Sequence, residues 1–200
     1  MNEHLRHAAL PITTQAAEGL PCRRWTVAEI EAMVASGILL EDERFELIGG
    51  EVVPMSPKGN RHEIVKAALQ DHWVPLTVGS PIRLIMETTL RAAGDTFYEP
   101  DFLFWPRRIP LADITASSAH LIVEVSDTSL GYDLGIKALA YAQLGLPELW
   151  VNNARTLVTT IHRGASASGY ADVRQAPSSE QIEPLFAPQL AVRLDQLDLG

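Results

Sequence analysis

Apolar residues recur every three to four positions in two stretches of the first half of the chain. In the first stretch, Thr26 and Glu29 have the spacing of a capping box, and the apolar stripe that follows extends to Gly37. In the second stretch, Asn60 and Glu63 repeat that spacing ahead of another apolar stripe. The pattern predicts two amphipathic helices, the second of them capped by Asn60.

Between and after these helices, short runs of branched and aromatic residues predict strands. Residues 45–53 predict a hairpin that turns at Gly49 and Gly50. Further strands are predicted at 82–90, 101–105, 121–126 and 149–152. A helix is predicted between the last two, over residues 130–144, because its apolar stripe ends at Gly145. Strand, helix and strand in this order predict a parallel pair of strands.

The two ends of the chain carry weaker signals. Residues 156–162 predict another strand, residues 164–169 predict a loop, and residues 185–199 show only a faint apolar pattern. Residues 1–24 have no sustained period and are predicted to form a flexible tail. With 200 residues, of which 46% are hydrophobic, the remainder is expected to fold as a single domain over 25–200.

Charge and composition restrict the class of function. The formal net charge of −9 argues against binding of nucleic acid along the whole surface, but it leaves room for local binding at a metal site. The chain has no apolar run of signal-peptide or membrane-spanning length, so we expect a soluble, cytoplasmic protein with no membrane partner. A lone cysteine, Cys22, cannot form an internal disulfide, and neither a zinc cluster nor a nucleophile elbow is present in the sequence.

The most informative feature is a charged residue inside an apolar strand. Glu124 lies among four apolar residues in the run 121–125, and a buried carboxylate normally needs a partner, a bound cation or a shifted pKa. Asp101 begins the apolar run 101–105 in a similar way. Two acids placed like this on adjacent strands would face each other across a sheet.

A lysine is predicted to join these acids. Lys137 lies within the apolar stripe of the predicted 130–144 helix, so its ammonium can reach Glu124 if the helix packs on the sheet. Carboxylates bind hard cations such as Mg²⁺, and a lysine can position an attacking water or stabilise the transition state of phosphate chemistry. The same residues also fit a structural ion pair between Lys137 and Glu124, with Asp101 capping a turn. Spacing alone does not decide between these two interpretations.

Several short motifs, in this order, resemble the Uma-two family of endonucleases. The motifs are FELIGGEVV at 45–53, MSP at 55–57, RH at 61–62, PD at 100–101, VEV at 123–125, DLGIK at 133–137 and LPELWV at 146–151. The resemblance extends from about Thr26 to the C-terminus. It implies membership of the PD-(D/E)XK superfamily, and hence an α/β, restriction-endonuclease-like fold in which helices flank a mixed β-sheet with a magnesium site.

Matched position by position, the motifs imply roles for individual residues. Asp101 matches the aspartate of the PD element and Glu124 the next acidic ligand, so both are expected to bind Mg²⁺, for which Mn²⁺ can substitute. Glu46 matches the glutamate of the first helical or turn element and is expected to be an accessory catalytic acid. Lys137 is expected to replace the lysine that the commonest superfamily pattern has two places after the acid, where this chain has Ser126.

Three other polar residues are given lesser roles. His62 matches a histidine often present in the family and is expected to be an accessory residue near the phosphate, although a simple contact at the start of a helix explains it equally well. Glu51 is an alternative to Glu46, which ranks higher on resemblance only. Glu87 is expected to face outward from its strand.

Three functions are consistent with these observations. The first is a metal-dependent endonuclease that acts on nucleic acid, with double-stranded DNA as the expected substrate and a homodimer as a compatible assembly. The second is a non-catalytic nucleic-acid-binding or regulatory module that keeps the nuclease fold. The third is a metal-dependent hydrolase of a small phosphorylated molecule.

Overall fold

The structure is a computed structural model that describes residues 23–40, 42–55 and 57–200. These residues contain four α-helices and ten strands. The helices are α1 (Val27–Ala35), α2 (Asn60–Thr77), α3 (Leu130–Tyr132) and α4 (Ala138–Gln143), and a π-helical turn, Asp133–Lys137, joins the last two. The strands are β1 (Phe45–Ile48), β2 (Glu51–Pro54), β3 (Ile82–Met86), β4 (Leu90–Ala93), β5 (Thr96–Tyr98), β6 (Phe102–Pro106), β7 (Leu121–Ser126), β8 (Glu148–Asn153), β9 (Thr159–Ser166) and β10 (Gly169–Ala176).

The strands form two sheets. The larger has the order β10-β9-β8-β7-β6-β3 and the smaller the order β2-β1-β5-β4. Within the larger sheet β7 and β8 are parallel, as the strand–helix–strand pattern predicted, and its other neighbours are antiparallel. The prediction of an α/β fold with a mixed sheet flanked by helices is therefore confirmed.

The two faces of the larger sheet are covered by different parts of the chain. On one face, Trp73 of α2 packs edge-on against Phe102 and Phe104, with ring centroids 5.3 Å and 5.1 Å apart, and donates a hydrogen bond to the carbonyl of Leu190. On the other face, the segment that contains Tyr141 packs on apolar residues of β6, β7 and β8. Because both faces are covered, these three strands are buried along almost their whole length.

The hairpin predicted over residues 45–53 is present as β1 and β2. Gly49 and Gly50 have φ of 56° and 80°, a left-handed conformation that glycine adopts without steric cost. A Cβ at Gly50 would lie 2.6 Å from the Cβ of Arg24, so this turn is also a point of close approach. Arg24 in turn donates a hydrogen bond to the carbonyl of Gly49.

The structure corrects three details of the predicted helices. The capping box at Thr26 forms, but Asn60 is the first residue of α2 and not its cap, a position held by Gly59, which has no side chain to bond the helix. The predicted helix over residues 130–144 is interrupted by the π-helical turn. The predicted tail and Cys22 lie outside the described residues except for Arg23 and Arg24, which bond to α1 and to the β1–β2 turn respectively.

Two predicted segments have a different structure from the one expected. The single strand predicted over residues 82–90 is two strands in different sheets, because the chain leaves the larger sheet at Glu87, where φ is 50°, and enters the smaller sheet at Leu90. The loop predicted over residues 164–169 is mostly strand, since β9 and β10 continue to a short turn and pair along their length. None of the helices in the described ranges is long and apolar enough to cross a membrane.

Candidate active site

Asp101 and Glu124 meet at the edge of the buried strands β6 and β7. The antiparallel register pairs Phe102 with Val123, which makes Asp101 and Glu124 the next neighbours along the two strands. The Oδ2 atom of Asp101 accepts a hydrogen bond of 2.8 Å from the backbone N–H of Val125. Both acids are buried, with 5% and 4% of their surface exposed. The expectation that they face each other across a sheet is confirmed, and Asp101 bonds across the strands and does not cap a local turn.

Glu46, from the smaller sheet, lies at the same site as Asp101 and Glu124. It lies in β1 and not in the helical or turn element that the resemblance implied. Its Oε1 accepts hydrogen bonds from Lys137 Nζ at 2.8 Å and from the backbone N–H of Glu99 at 3.1 Å, and its Oε2 accepts one from Tyr132 Oη at 2.9 Å. Every one of these partners lies outside the β1–β2 hairpin. Glu46 therefore connects the smaller sheet to the helical segment that packs on the larger one.

Lys137 connects the acids of the two sheets. Its Nζ lies 2.8 Å from Glu46 Oε1 and 3.0 Å from Glu124 Oε1, and only 3% of the residue is exposed. The prediction that Lys137 reaches Glu124 is confirmed. The structural ion pair left open by the sequence is thus present, and it lies on the wall of the cavity described below.

The π-helical turn places two side chains of this segment on Glu46. A π turn bonds residue i to residue i+5, so side chains five apart come to the same side of the helix. Tyr132 and Lys137 are five apart, and they bond the two different oxygens of the Glu46 carboxylate. The turn thereby binds Glu46 at both of its oxygens.

His62 approaches Asp101 from α2. Its Nε2 lies 3.1 Å from Asp101 Oδ2 and its Nδ1 lies 3.1 Å from Glu63 Oε1, and the side chain is buried. His62 therefore contacts one of the expected metal ligands, a more specific position than a simple contact at a helix start.

Two residues that the sequence did not assign to the site, Tyr141 and Asp133, lie close to Glu124. Tyr141 Oη donates a hydrogen bond of 2.9 Å to Glu124 Oε1. Asp133 accepts hydrogen bonds of 2.6 Å from Ser126 and from Ser129, so the residue two places after Glu124 bonds a carboxylate of the protein. Tyr141 could not be recognised because its place in the apolar stripe is that of any core residue, whereas the closeness of Asp133 to Lys137 was visible in the sequence.

Glu87 is the centre of a cluster of cations beside Asp101. Its carboxylate contacts the amino groups of Lys58 and Lys66 (the second at 2.9 Å) and the guanidinium of Arg44 at 3.1 Å. Glu87 is exposed, as predicted, with 36% of its side chain accessible, and the turn away from β3 also brings its carboxylate to these three cationic side chains. We call Glu87, Lys58, Lys66 and Arg44 the Glu87 cluster.

The surroundings of the two central acids shift the pKa of Asp101 and the pKa of Glu124 in opposite directions. Burial raises the pKa of Glu124, and although Lys137 opposes this, Asp101, Asp133 and Glu46 add to it and bring the pKa to about 8. Burial also acts to raise the pKa of Asp101, but the hydrogen bond from His62 and the charge of Lys58 outweigh it, so that pKa lies well below its usual range. Asp101 is thus a stable anion. Glu124, in contrast, holds its proton more readily than an ordinary carboxyl group, because the positive charge of Lys137 does not offset burial and the neighbouring acids.

Lys137 keeps its proton despite its burial. Desolvation acts to lower the pKa of Lys137, but the charges of Glu124, Glu46 and Asp133 outweigh it and raise the pKa above its usual range. The three carboxylates of Glu124, Glu46 and Asp133 thus surround this ammonium. A further cation in the cavity would therefore be attracted by the unbalanced negative charge.

Two adjoining cavities open onto these residues. The first has a volume of about 270 Å³ and includes Asp101, Glu124, Lys137, Glu46 and His62 in its lining. The second, of about 540 Å³, lies over the Glu87 cluster. They share Met55, Pro57 and Lys58, so a ligand chain that leaves the first cavity on this side passes over the second.

Comparison with known proteins identifies the family. The Uma2 family model, described as "Putative restriction endonuclease", matches residues 28–196. The chain belongs to the Uma2 family. This is the Uma-two family that the sequence motifs resemble, so the predicted family is confirmed.

A solved structure shares the fold of this Uma2 chain. It is described as "a putative nuclease belonging to DUF820", from Anabaena variabilis, and it is 16% identical in sequence. The match covers 85% of this chain and 95% of the other, with a TM-score of 0.63. A search of curated proteins gave no match.

The acids of this Uma2 chain offer part of a coordination shell for a divalent cation. Asp101 and Glu124 supply neighbouring oxygens, and Glu124 Oε2 has no hydrogen-bond partner among the described residues. Within those residues no group of three or more acidic, histidine or cysteine side chains is arranged to hold a metal. The two carboxylates and the unbalanced charge fit a hard cation whose remaining ligands come from water or from a substrate phosphate.

Glu87→Gln is expected to lower the stability of this Uma2 protein at neutral pH and to have less effect in acid. Burial acts to raise the pKa of Glu87, but the hydrogen bonds and charges of Lys58 and Lys66 outweigh it and lower the pKa to about 2, from an ordinary value of 4.5. A lowered pKa stabilises the folded state above pH 4.5, and this contribution is lost as the pH falls towards 2.

The measurement is the difference in Tm between wild type and Glu87→Gln from pH 7 down to pH 3. We expect the difference to narrow through this range. A difference that is constant with pH would show that the cations do not hold Glu87 ionised. Glu180→Gln, at an exposed ion pair with Arg174, is the control and should differ little from wild type throughout.

Proposed function

We propose that this protein is a divalent-metal-dependent endonuclease that hydrolyses phosphodiester bonds in double-stranded DNA. The observation that carries the proposal is the meeting of Asp101 and Glu124 on adjacent buried strands, at a cavity that Lys137 also lines. Membership of a family whose model is described as "Putative restriction endonuclease" supports the same reaction class. Fold alone would not be enough, because one fold can carry many functions.

In this proposal Asp101 and Glu124 hold Mg²⁺, for which Mn²⁺ substitutes. The bound metal neutralises charge on the phosphate and lowers the pKa of an attacking water. The carboxylates suit this ion because it prefers hard oxygen ligands and keeps several ligands from water or substrate. Since Asp101 is anionic and Glu124 has one oxygen without a protein partner, each acid can offer an oxygen.

The other residues of the site hold these two acids in place. Lys137 forms ion pairs with Glu46 and Glu124, and Tyr141 donates a hydrogen bond to the same oxygen of Glu124. His62 and the backbone N–H of Val125 fix Oδ2 of Asp101. Side chains fixed in this way need little rearrangement when the substrate arrives, which is a general source of electrostatic catalysis.

The proposal predicts metal-dependent cleavage by the purified protein. The test uses labelled duplex DNA, single-stranded DNA and RNA with Mg²⁺, Mn²⁺ or a chelator. We expect cleavage of duplex DNA with either metal, loss of cleavage with the chelator, and recovery when metal is added back.

Other outcomes would overturn it in distinguishable ways. Binding of DNA without cleavage under every condition would favour the non-catalytic module. Hydrolysis of small phosphate esters alone would favour the third function. The variant Asp101→Asn, purified in the same way, shows whether any cleavage comes from a contaminating nuclease.

A further inference from the structure

Lys58 connects the Glu87 cluster to the proposed metal site. Its Nζ donates a hydrogen bond of 2.8 Å to Asp101 Oδ1 and another to Glu87 Oε1. An ammonium has three donors, so these two carboxylates leave one donor for a further acceptor. Lys58 also lines both cavities, and 13% of its side chain is exposed.

Lys137 is less suited to contact a substrate. Its side chain is 4% exposed, and its ammonium lies between the carboxylates of Glu46 and Glu124. If a buried cation moved away from its partners, their buried negative charges would be left unpaired, which is strongly unfavourable. Lys137 is therefore held in place, whereas Lys58 lies where the two cavities join.

We propose that Lys58 is the catalytic cation that contacts the phosphate being cleaved, and that Glu87 is its positioning residue. This inference rests on the proposed nuclease function. Asp101 Oδ1, which Lys58 now binds, is also the oxygen that Asp101 can offer to a metal, because Oδ2 already accepts hydrogen bonds from Val125 and contacts His62. Lys58 and the metal therefore compete for Asp101.

Glu87 allows Lys58 to give up Asp101 without becoming unpaired. The backbone N–H of Glu87 lies 3.2 Å from the carbonyl of Pro100 and 3.3 Å from that of Asp101, so the two acids stand next to each other. If Asp101 Oδ1 served a metal, Lys58 would keep its bond to Glu87 and would have two donors for phosphate oxygens. A non-glycine residue with φ of 50° has a strained backbone, a feature found at functional sites.

The chain offers a matched control for Lys58. Lys66 also donates to Glu87 Oε1, and its side chain is exposed to a similar extent, 11%. Its other partner is Glu63 and not Asp101, and it lines only the second cavity. Lys58→Met and Lys66→Met therefore remove the same charge from the same cluster, and only the first changes the surroundings of Asp101.

The experiment measures Mn²⁺ affinity by calorimetry and kcat for duplex DNA in both variants. For Lys58→Met we expect Mn²⁺ to bind about tenfold more tightly, because a competing positive charge is gone. We expect kcat to fall by about 10²-fold, as on removal of one transition-state donor. Lys66→Met should stay within about twofold of wild type in both quantities, and Lys58→Arg should recover part of kcat.

Each outcome separates this inference from the function on which it rests. Tighter metal binding combined with slower cleavage supports Lys58, since a merely structural defect would weaken both. Equal behaviour of Lys58→Met and Lys66→Met, or weaker Mn²⁺ binding in Lys58→Met, overturns the role of Lys58 alone. Absence of both Mn²⁺ binding and cleavage in the wild type overturns the proposed function and, with it, this inference.

Discussion

Asp101→Asn is expected to lower metal-dependent cleavage by about 10³-fold, equivalent to about 4 kcal/mol of transition-state stabilisation. The substitution keeps the size of the side chain and leaves an oxygen that can accept the N–H of Val125. It removes the negative charge that binds Lys58 and that, in the proposed function, would also bind the metal. The loss should appear both as absent Mn²⁺ binding in calorimetry and as lost cleavage of duplex DNA.

Asp127→Asn provides a control in the same cavity. Asp127 lines the first cavity, but its Oδ1 is bonded to Arg155 Nε at 2.5 Å, and we assign it no metal. The same change of charge at this position should leave most of the cleavage activity, since the Asp127 carboxylate is bonded to Arg155 and is not one of the proposed metal ligands. Equal losses in the two variants would mean that net cavity charge matters and that Asp101 is not a ligand.

Lys137→Met is expected to lower the free energy of unfolding by about 3–5 kcal/mol, because it leaves buried carboxylates without their cation. Lys137 is the ammonium shared by Glu46 and Glu124, all of them nearly inaccessible to water. Methionine fills a similar volume, so most of the loss comes from charge and little from packing. Urea denaturation at pH 7 measures the change.

Two further variants separate charge from packing in this result. Lys66→Met removes a lysine that also lies between two carboxylates, but Glu63 and Glu87 are partly exposed, so the expected loss is about 1 kcal/mol or less. The double variant Lys137→Met with Glu124→Gln should recover part of the loss, because it removes one uncompensated charge. If Lys137→Met cost no more than Lys66→Met, the ion pair would not hold the two sheets together.

The strands that the sequence predicted well are those buried on both faces. β7 has the predicted bounds, and β6 and β8 differ from their predictions by one residue at each end. Their apolar runs are continuous because both faces of these strands are covered by other parts of the chain. β5 has only three residues and β10 is mostly exposed, so neither carries a pattern that distinguishes it from a loop.

The central residues of the site could be predicted because each violates its local pattern. Glu124 is a charge in an apolar strand, and Lys137 is a charge in an apolar helical stripe. Lys58 violates no pattern, because a lysine in a polar loop is ordinary. The environment of Glu87 depends on the transfer of the chain from one sheet to the other, which is a property of the tertiary fold. The sequence therefore indicated the buried charges that break an apolar pattern, and it missed Tyr141 and Lys58, which follow the pattern of their surroundings.

The positions that build the site have a consequence for biosynthesis. Glu46, Asp101, Glu124 and Lys137 come from separate segments, and Lys137 is the last of them to be synthesised. A nascent chain shorter than this lacks the cation that joins Glu46 to Glu124, so it cannot assemble the ion-paired site. If the proposed activity holds, chains that end before Lys137 would not cleave nucleic acid, and cleavage would begin only after folding.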